Sequence, residues 1–447
     1  MTTRGVFQIT DGCPPQDWRE VPLSLVADVR FSSVDKLIFP SEECVRLCNY
    51  IDVYKNDYIT GDLEFMSGSA TWAEIERFGL QVGDVIITKD SETPDDIGIP
   101  AIVDYASADL VCGYHLGLLR TDQTRFDPTF LAKQLGHHRL SRYFGRQANG
   151  LTRYGLPLAS VRNAPVWLPK IEQQTAIGRI ARLMDSSIAR TEAVIAKLRQ
   201  VRTGVLHGLL TRGVDDHGLL RPSPIEAAHL YRDSPLGKIP CEWGCPSLEE
   251  AMDWFSGGTP DRSRRSLWNG PIQLLTPKDM KVLELSDTSE HITTDAILAG
   301  SRLMPEQTVF IVVRGMILAH TFPVCLCSRP FAFNQDIKAV RGRGKLGNRF
   351  LAQWFVSNSS EFLRKVSEAT HGTKKLDMSE LHRVYIGVPS PDEQQAILER
   401  LDALDEYIAV EMSELNKLVG LKTGLMADLL TGRVPVPEAL EFQGACP

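Results

Sequence analysis

Residues 169–214 have the sequence PKIEQQTAIGRIARLMDSSIARTEAVIAKLRQVRTGVLHGLLTRGV, and residues 389–434 have the sequence PSPDEQQAILERLDALDEYIAVEMSELNKLVGLKTGLMADLLTGRV. Placing the first stretch over the second aligns them without a gap and gives 15 identities in 46 positions. Such a repeat decides the architecture, because two copies of one segment are expected to fold alike. The identical pairs include Gln174/Gln394, Ile177/Ile397, Asp185/Asp405, Ile188/Ile408 and Leu198/Leu418.

Each stretch carries apolar residues at alternating spacings of three and four, the pattern of a long helix with a coiled-coil seam. We expect the two helices, each roughly 60 Å long at 1.5 Å per residue, to pair with each other. The alternative is that each stripe is the buried face of an ordinary core helix. The predicted helix-packing residues are Ile177, Met184, Ile188, Ile195, Leu198, Ile397, Leu401, Leu404, Ile408, Leu415 and Leu418.

The charges on the two stretches are opposite. Basic residues flank the first seam and acidic residues flank the second, so charge favours pairing of the helices, although exposed pairs contribute only about 0–1 kcal/mol each. The flanking residues are Arg179, Arg182, Arg190, Lys197, Arg199 and Arg202 in the first, and Glu399, Asp402, Asp405, Glu406, Glu411 and Glu414 in the second.

The chain outside the repeats is predicted to be mixed α/β. Apolar runs at 84–88, 99–103 and 309–313 indicate strands, and those at 350–356 and 362–366 indicate short helices. The predicted fold class is therefore α/β, with two mixed α/β domains separated by two long antiparallel coiled-coil helices in a pseudo-twofold repeat. The predicted parts are a tail (1–17), a first domain (18–168), a central helix (169–214), a connector (215–240), a second domain (241–388), a C-terminal helix (389–434) and a tail (435–447).

Length and composition exclude several classes of protein. A chain of 447 residues exceeds the roughly 250–300 that one core supports, and 43% hydrophobic with 23% charged residues is globular. No apolar run reaches the length of a membrane span, and the N-terminal segment 1–20 lacks the apolar stretch of a signal peptide. Nine cysteines suit reduced thiols. We therefore expect a cytoplasmic protein.

The second half of the chain contains a series of short phrases in a fixed order. The phrases are Ser234-Pro-Leu-Gly-Lys-Ile-Pro-Cys-Glu-Trp243, Gly257-Gly-Thr-Pro260, Leu267-Trp-Asn-Gly270, Leu275-Thr-Pro-Lys-Asp279, Phe333-Asn-Gln-Asp336, His371-Gly-Thr373, Val388-Pro-Ser-Pro-Asp-Glu-Gln394 and Leu429-Leu-Thr-Gly-Arg433. Together with the duplication, this order resembles the specificity subunit of type I restriction-modification systems, and the resemblance covers essentially the whole chain. The first half lacks the Gly-Gly-Thr-Pro phrase and has Gly113-Tyr-His-Leu where the second has Phe333-Asn-Gln-Asp.

The resemblance implies a non-catalytic subunit that reads double-stranded DNA. Each target-recognition domain reads one half of a bipartite site, and the helices set the spacer between the halves and dock modification (methyltransferase) subunits, of which we expect two. Restriction/translocase subunits join through the complex. S-adenosylmethionine, ATP and Mg are expected on the partner subunits, and no cofactor in this chain.

Polar and basic residues beside aromatics and glycine turns are the candidate DNA contacts, since phosphates are bound mainly by Lys and Arg. Arg139, Arg142 and Arg146 have helical spacing, so one face is expected to meet phosphates; the alternative is a solvated helix face. The candidates are Thr259, Arg262, Arg264, Arg265, Trp268, Lys278, Lys281, Arg314, Asn334, Gln335, Lys374 and Lys375 in the second domain, and Lys89, Arg139, Arg142, Arg146 and Arg153 in the first.

Catalytic and metal-binding motifs are missing from the sequence. It has no phosphate-binding Gly-x-x-x-x-Gly-Lys-[Ser/Thr] loop, no amino-methyltransferase Asn-Pro-Pro-aromatic run and no Gly-x-Ser-x-Gly elbow. The cysteine pairs lack zinc-site spacing, and His137, His138 and His320 are more ordinary as surface or core residues than as ligands. The competing interpretation is a coiled-coil protein-protein scaffold without DNA reading, and a nuclease is the third.

Overall fold

The structure, a computed structural model, describes residues 14–368 and 372–436. Most of both predicted tails and His371 of the His371-Gly-Thr373 phrase lie outside the described residues. The chain divides into two compact units. Of the described residues, unit 1 contains 14–192 and 413–436, and unit 2 contains 193–368 and 372–412.

Unit 1 is built on a five-stranded sheet, in the order β2-β10-β6-β8-β4, and a three-stranded sheet, in the order β5-β3-β9. The predicted strands at 84–88 and 99–103 are confirmed as β6 and β8. The strands are β1 (Arg19–Pro22), β2 (Ala27–Phe31), β3 (Glu43–Cys48), β4 (Tyr58–Ile59), β5 (Met66–Ala70), β6 (Val85–Thr88), β7 (Asp90–Ser91), β8 (Pro100–Val103), β9 (Leu110–Cys112), β10 (Leu116–Thr121), β11 (Tyr154–Gly155) and β12 (Pro165–Leu168).

Helices cover these sheets, and their first residues show why they begin where they do. Thr71 and Glu74 form a capping box at the start of α2, and Asp127 accepts the Phe130 amide at the start of α3, with Pro128 in the first turn. The helices are α1 (Tyr50–Lys55), α2 (Trp72–Phe78), α3 (Pro128–Leu135), α4 (His138–Gln147), α5 (Leu158–Arg162) and the long α6 (Ile171–Arg212).

Unit 2 repeats the plan of unit 1. Its five-stranded sheet has the order β15-β23-β20-β21-β17, and its second sheet has the order β18-β16-β22-β19. The strands are β13 (Tyr231–Ser234), β14 (Gly237–Pro240), β15 (Met252–Ser256), β16 (Trp268–Leu275), β17 (Glu284–Leu285), β18 (Glu290–Ile292), β19 (Leu303–Met304), β20 (Val309–Val312), β21 (Val324–Cys327), β22 (Phe331–Phe333), β23 (Ile337–Gly342), β24 (Val366–Glu368) and β25 (Lys374–Leu376).

The predicted strand at 309–313 and the two short predicted helices are confirmed as β20, α9 and α10. In both units the fifth strand pairs in parallel with its neighbour, as β4 does with β8 and β17 with β21. The predicted mixed α/β fold is therefore confirmed for each unit. The helices are α7 (Leu248–Ala251), α8 (Thr294–Leu298), α9 (Asn348–Ser357), α10 (Ser359–Arg364), α11 (Met378–His382) and the long α12 (Pro391–Leu429).

Each unit contains a segment of both long helices, and the two segments run antiparallel. In unit 1, Ile177 of α6 shares a core with Leu429 of α12, and in unit 2 Leu206 of α6 shares a core with Ile397 of α12. Of the predicted helix-packing residues, Ile177, Ile195, Ile397, Leu401 and Ile408 are buried. The others are half-buried, namely Met184, Ile188, Leu198, Leu404, Leu415 and Leu418.

A buried glutamine joins the start of each long helix to its own domain. Gln174 accepts the Asp127 amide (3.0 Å) and donates to the carbonyls of Pro169 (2.9 Å) and Arg125 (3.4 Å). Gln394 accepts the Gly347 amide (2.8 Å) and donates to the carbonyls of Pro389 and Lys345 (both 2.9 Å). Each backbone partner of Gln174 is separated from the corresponding partner of Gln394 by the same number of residues that separates the two glutamines. The two copies of the repeat therefore share these contacts as well as their sequence.

Candidate nucleic-acid interface

Four segments of unit 2 converge at the end of its five-stranded sheet where β15 and β20 finish and β23 begins. They follow β15, β20 and β22 and lead into β25, and backbone hydrogen bonds fix them to one another. A surface made of four mutually bonded segments is rigid enough to present side chains at set positions. The bonds run from Gly258 N to Phe333 O (3.0 Å), from Val313 N to Asp336 O (2.9 Å), from Gly315 N to Lys374 O (2.9 Å) and from Leu376 N to Val313 O (2.9 Å).

Six of the candidate DNA contacts lie on these segments, and Asn334 is one of them. Thr259 donates to the Gln335 side-chain oxygen at 2.8 Å, which links the first segment to the third. Arg314 and Lys375 are exposed and lie opposite each other in a β-bridge. Lys374 instead pairs with Glu368 at 2.9 Å. This end of the sheet therefore presents two exposed cations, Arg314 and Lys375, beside the polar side chains of Thr259 and Gln335.

The loop between β15 and β16 adds a basic and aromatic cluster. Arg262 makes two 3.0 Å hydrogen bonds to Glu290, and its guanidinium lies 4.7 Å from the centre of the Trp268 ring. Arg264 and Arg265 are exposed in the same loop. Arg262 is thus held by neighbours within the domain, whereas Arg264 and Arg265 extend into solvent.

Asn334 shapes its turn rather than the surface. It is only 8% exposed, its amide nitrogen donates to the Asp336 carboxylate at 3.2 Å, and its oxygen accepts the Asp336 amide at 3.1 Å. Lys278 and Lys281 are exposed in the turn after β16. The structure therefore places the two lysines, but not the Asn334 side chain, where a ligand has access.

The cations predicted in unit 1 are held more tightly. Lys89 is half-buried, donates to the Ser32 carbonyl at 3.2 Å and lies 4.2 Å from the centre of the Tyr114 ring. Burial lowers the pKa of Lys89 below its ordinary value. Arg153 is exposed but pairs with Asp90 at 2.9 Å. Both side chains therefore have partners inside the domain.

The three arginines of α4 do not share one basic face. Arg139 donates to the Pro165 carbonyl at 2.7 Å and lies 4.1 Å from the centre of the Trp167 ring, so it packs inward. Arg142 and Arg146 are exposed. Helical spacing alone did not reveal this difference, because the Trp167 ring comes from a distant strand.

Residues 14–368 and 372–436 contain no group of three or more His, Cys, Asp or Glu side chains that could hold a metal ion. In the same part of the chain, no helix combines the length and apolar character of a membrane span.

His137 and His138 contact each other. Burial, and then the charges of His138 and Arg139, lower the pKa of His137 to about 4.

The family model for the type I restriction modification DNA specificity domain matches residues 243–419. This range contains the four converging segments. A specificity subunit of the type I restriction enzyme EcoR124I/EcoR124II from Escherichia coli is 33% identical over 177 residues, which cover 39% of this chain and 44% of that protein. Residues 243–419 of the chain are thus similar to the type I restriction modification DNA specificity domain.

Other relatives extend the likeness beyond this domain. The putative type I restriction enzyme MjaX specificity subunit from Methanocaldococcus jannaschii is 21% identical over 94% of this chain and 95% of its own length. The S subunit from M. genitalium has the same fold, with a TM-score of 0.51 at 14% identity over 94% of this chain and 98% of its own. A chain from a structure on complex assembly and conformational transition of the type I R-M system also has this fold. Its TM-score is 0.56 at 17% identity, over 95% of this chain and 100% of its own length.

The contacts correct the expected alignment between the two halves of the chain. The Gly113 amide donates to the Cys48 carbonyl (2.8 Å), and the Asn334 amide donates to the Leu275 carbonyl (3.1 Å). Cys48 is the last residue of β3, which pairs in parallel with β9, the strand that ends just before Gly113. Leu275 is the last residue of β16, which pairs in parallel with β22, the strand that ends just before Asn334. Gly113 therefore corresponds to Asn334, one residue later than the alignment with Phe333 placed it.

One residue that sequence reasoning missed organises the start of the second domain. Glu393 accepts hydrogen bonds from the Val214 amide (2.9 Å) and the Trp243 indole (3.0 Å), and it forms an ion pair with Arg221. The predicted connector is thus bound to α12 at its beginning. The repeat hides this role, because the matching residue of the first copy is Gln173.

Proposed function

We propose that this chain is a specificity subunit that reads a bipartite DNA site, one half with each target-recognition domain. The observation that carries the proposal is the end of the five-stranded sheet of unit 2 where Arg314 and Lys375 are exposed beside Thr259 and Gln335. Cations bind phosphates without regard to sequence, whereas Thr and Gln side chains hydrogen-bond base edges. The matching sheet order of unit 1 supports a second, separate reading domain.

The long helices set the spacer between half-sites and dock modification subunits. Apolar side chains that remain exposed on them support docking, since Tyr407 and Val410 on α12 and Leu183 on α6 are more than half exposed. Burying such side chains is what a stable protein interface requires. Two modification subunits bind, and restriction/translocase subunits join through the complex.

Catalysis belongs to the partner subunits. This chain recognises DNA without reacting with it, and S-adenosylmethionine, ATP and Mg act on the modification and restriction subunits. The absent sequence motifs for nucleotide binding, methyl transfer and hydrolysis support this division.

The test is binding of the chain, with modification subunits present, to duplex DNA across a range of salt concentrations. We expect the logarithm of the binding constant to fall linearly with the logarithm of salt, by about 0.9 per neutralised phosphate. Arg314→Ala/Lys375→Ala should reduce that slope, and Lys238→Ala, an exposed lysine of the β13-β14 hairpin, should not. Salt-independent binding, or no binding, would favour the scaffold.

A further inference from the structure

One short helix of each recognition domain contacts the long helix, and these contacts repeat at the offset that aligns Gln174 with Gln394. In unit 1, Arg182 of α6 donates to the Thr129 hydroxyl of α3 at 2.8 Å. In unit 2, Arg349 of α9 donates to the Asp402 carboxylate of α12 at 3.0 Å. Thr129 and Arg349 are therefore one structural position, and Arg182 and Asp402 are another.

The charges at these two positions are reversed between the units. In unit 1 the cation is on the long helix, and Arg182 completes its contacts with two hydrogen bonds to Asp104 of the domain, at 2.8 and 2.9 Å. In unit 2 the cation is on the domain, and the long helix supplies the carboxylate of Asp402. Opposite arrangements of charge thus fill the same place in the fold.

A second pair of equivalent positions follows one turn later. Lys133 of α3 lies 2.8 Å from Asp185 of α6, which also accepts the Tyr58 hydroxyl at 2.6 Å. The equivalents in unit 2 are Gln353 and Asp405, which share Arg202 at 3.4 and 2.8 Å. The domain contributes a cation in unit 1 and a neutral amide in unit 2.

We propose that these contacts match each recognition domain to its own long helix, so that the two domains of this chain are not interchangeable. The second domain placed on α6 would bring Arg349 against Arg182, two guanidinium groups of like charge. The first domain placed on α12 would leave Asp402 facing the neutral Thr129. The exchanged arrangement is therefore disfavoured in two ways, because it loses the native ion pair and because it brings two like charges together.

The proposal concerns docking within one chain, and it rests on the proposed function only where methylation is the readout. A charge reversal in unit 2 tests it directly. Asp402→Arg places an arginine opposite Arg349, and the double variant Arg349→Thr/Asp402→Arg recreates the threonine and arginine of unit 1. Glu406→Arg is the matched control, because it makes the same charge change at an exposed position of the same helix.

The measurement is the midpoint of thermal unfolding of the full chain. We expect Asp402→Arg to lower it by roughly 2–4 °C, the double variant to recover at least half of that loss, and Glu406→Arg to change it by less than about 1 °C. If Asp402→Arg yields no folded protein, a folded double variant is the supporting result. A double variant no better than Asp402→Arg, or an Asp402→Arg midpoint equal to that of the control, overturns the proposal.

A chain with the second domain in both places extends the test to function. Residues 241–388 replace residues 18–168, with and without Arg182→Asp. We expect Arg182→Asp to raise the unfolding midpoint of this chimera, and an unchanged or lower midpoint overturns the matching. A stabilised chimera that directs methylation to a site with two like halves supports both proposals. A stabilised chimera that binds no DNA supports the matching and counts against the proposed function.

Discussion

The Gln394→Ala variant tests whether the buried glutamines hold each domain to its long helix. Gln394 is 3% exposed, and its removal deprives the Gly347 amide and the carbonyls of Lys345 and Pro389 of their partner. A buried polar group without a hydrogen bond costs about 1–3 kcal/mol, and carbonyls cost less when they keep another partner. We therefore expect a loss of about 3 kcal/mol in the free energy of unfolding of unit 2.

Hydrogen exchange measured by mass spectrometry assigns the loss to a place in the chain. A loss of about 3 kcal/mol raises exchange in unit 2 roughly 100-fold where amides exchange through opening of that unit. Gln394→Met separates the loss of hydrogen bonds from the loss of packing, because it keeps most of the side-chain volume and removes only the hydrogen bonds.

Gln174→Ala is the internal comparison. Its contacts match those of Gln394, so it should destabilise unit 1 by a similar amount and leave exchange in unit 2 unchanged. A loss below about 1 kcal/mol in either variant, or a Gln394→Met variant as stable as the native chain, would refute the reasoning.

Three further outcomes follow from the contacts. Glu393→Gln should lower the free energy of unfolding of unit 2 by roughly 2–4 kcal/mol, because it leaves the half-buried Arg221 guanidinium with the more distant Glu242 carboxylate at 3.6 Å; denaturant unfolding that matches the native chain contradicts this. Lys375→Ala should weaken binding to all DNA sequences, and Arg264→Ala should relax discrimination at one base pair by about 1–3 kcal/mol; competition binding with unrelated duplexes distinguishes the two. Unit 1 should lose stability as the pH falls from about 6.5 to 4, since protonation of His137 is disfavoured only in the folded state, and His137→Gln should reduce that loss in unfolding curves measured across this range.

The repeat was predictable from sequence because some identical residues make equivalent contacts in both copies. Gln174 and Gln394 align in the two copies, and so do their backbone partners. The helix-packing stripes were predictable for a similar reason, because apolar periodicity is a local property of the chain. Positions that align between the two copies of the long helix thus occupy the same place in the fold.

The fate of each cation was not predictable, because it depends on residues far away in the chain. Arg139 and Arg142 have the same chemistry and helical spacing, yet Arg139 packs on the Trp167 ring of a strand distant in the sequence, whereas Arg142 is exposed. The expected pairing between the flanks of the long helices is confirmed for Arg202 with Asp405. Asp402 of the same acidic flank turns to Arg349 of the domain instead, which the charge pattern could not distinguish.

The most direct test of bipartite reading is the methylated motif after one recognition domain is exchanged. Residues 241–388 are replaced by the equivalent domain of a relative that keeps a cation at position 349, and the methylome of cells carrying the variant is sequenced. We expect one half of the methylated site to change while the other half and the spacer stay the same. A folded variant that alters both halves, or neither, would contradict it.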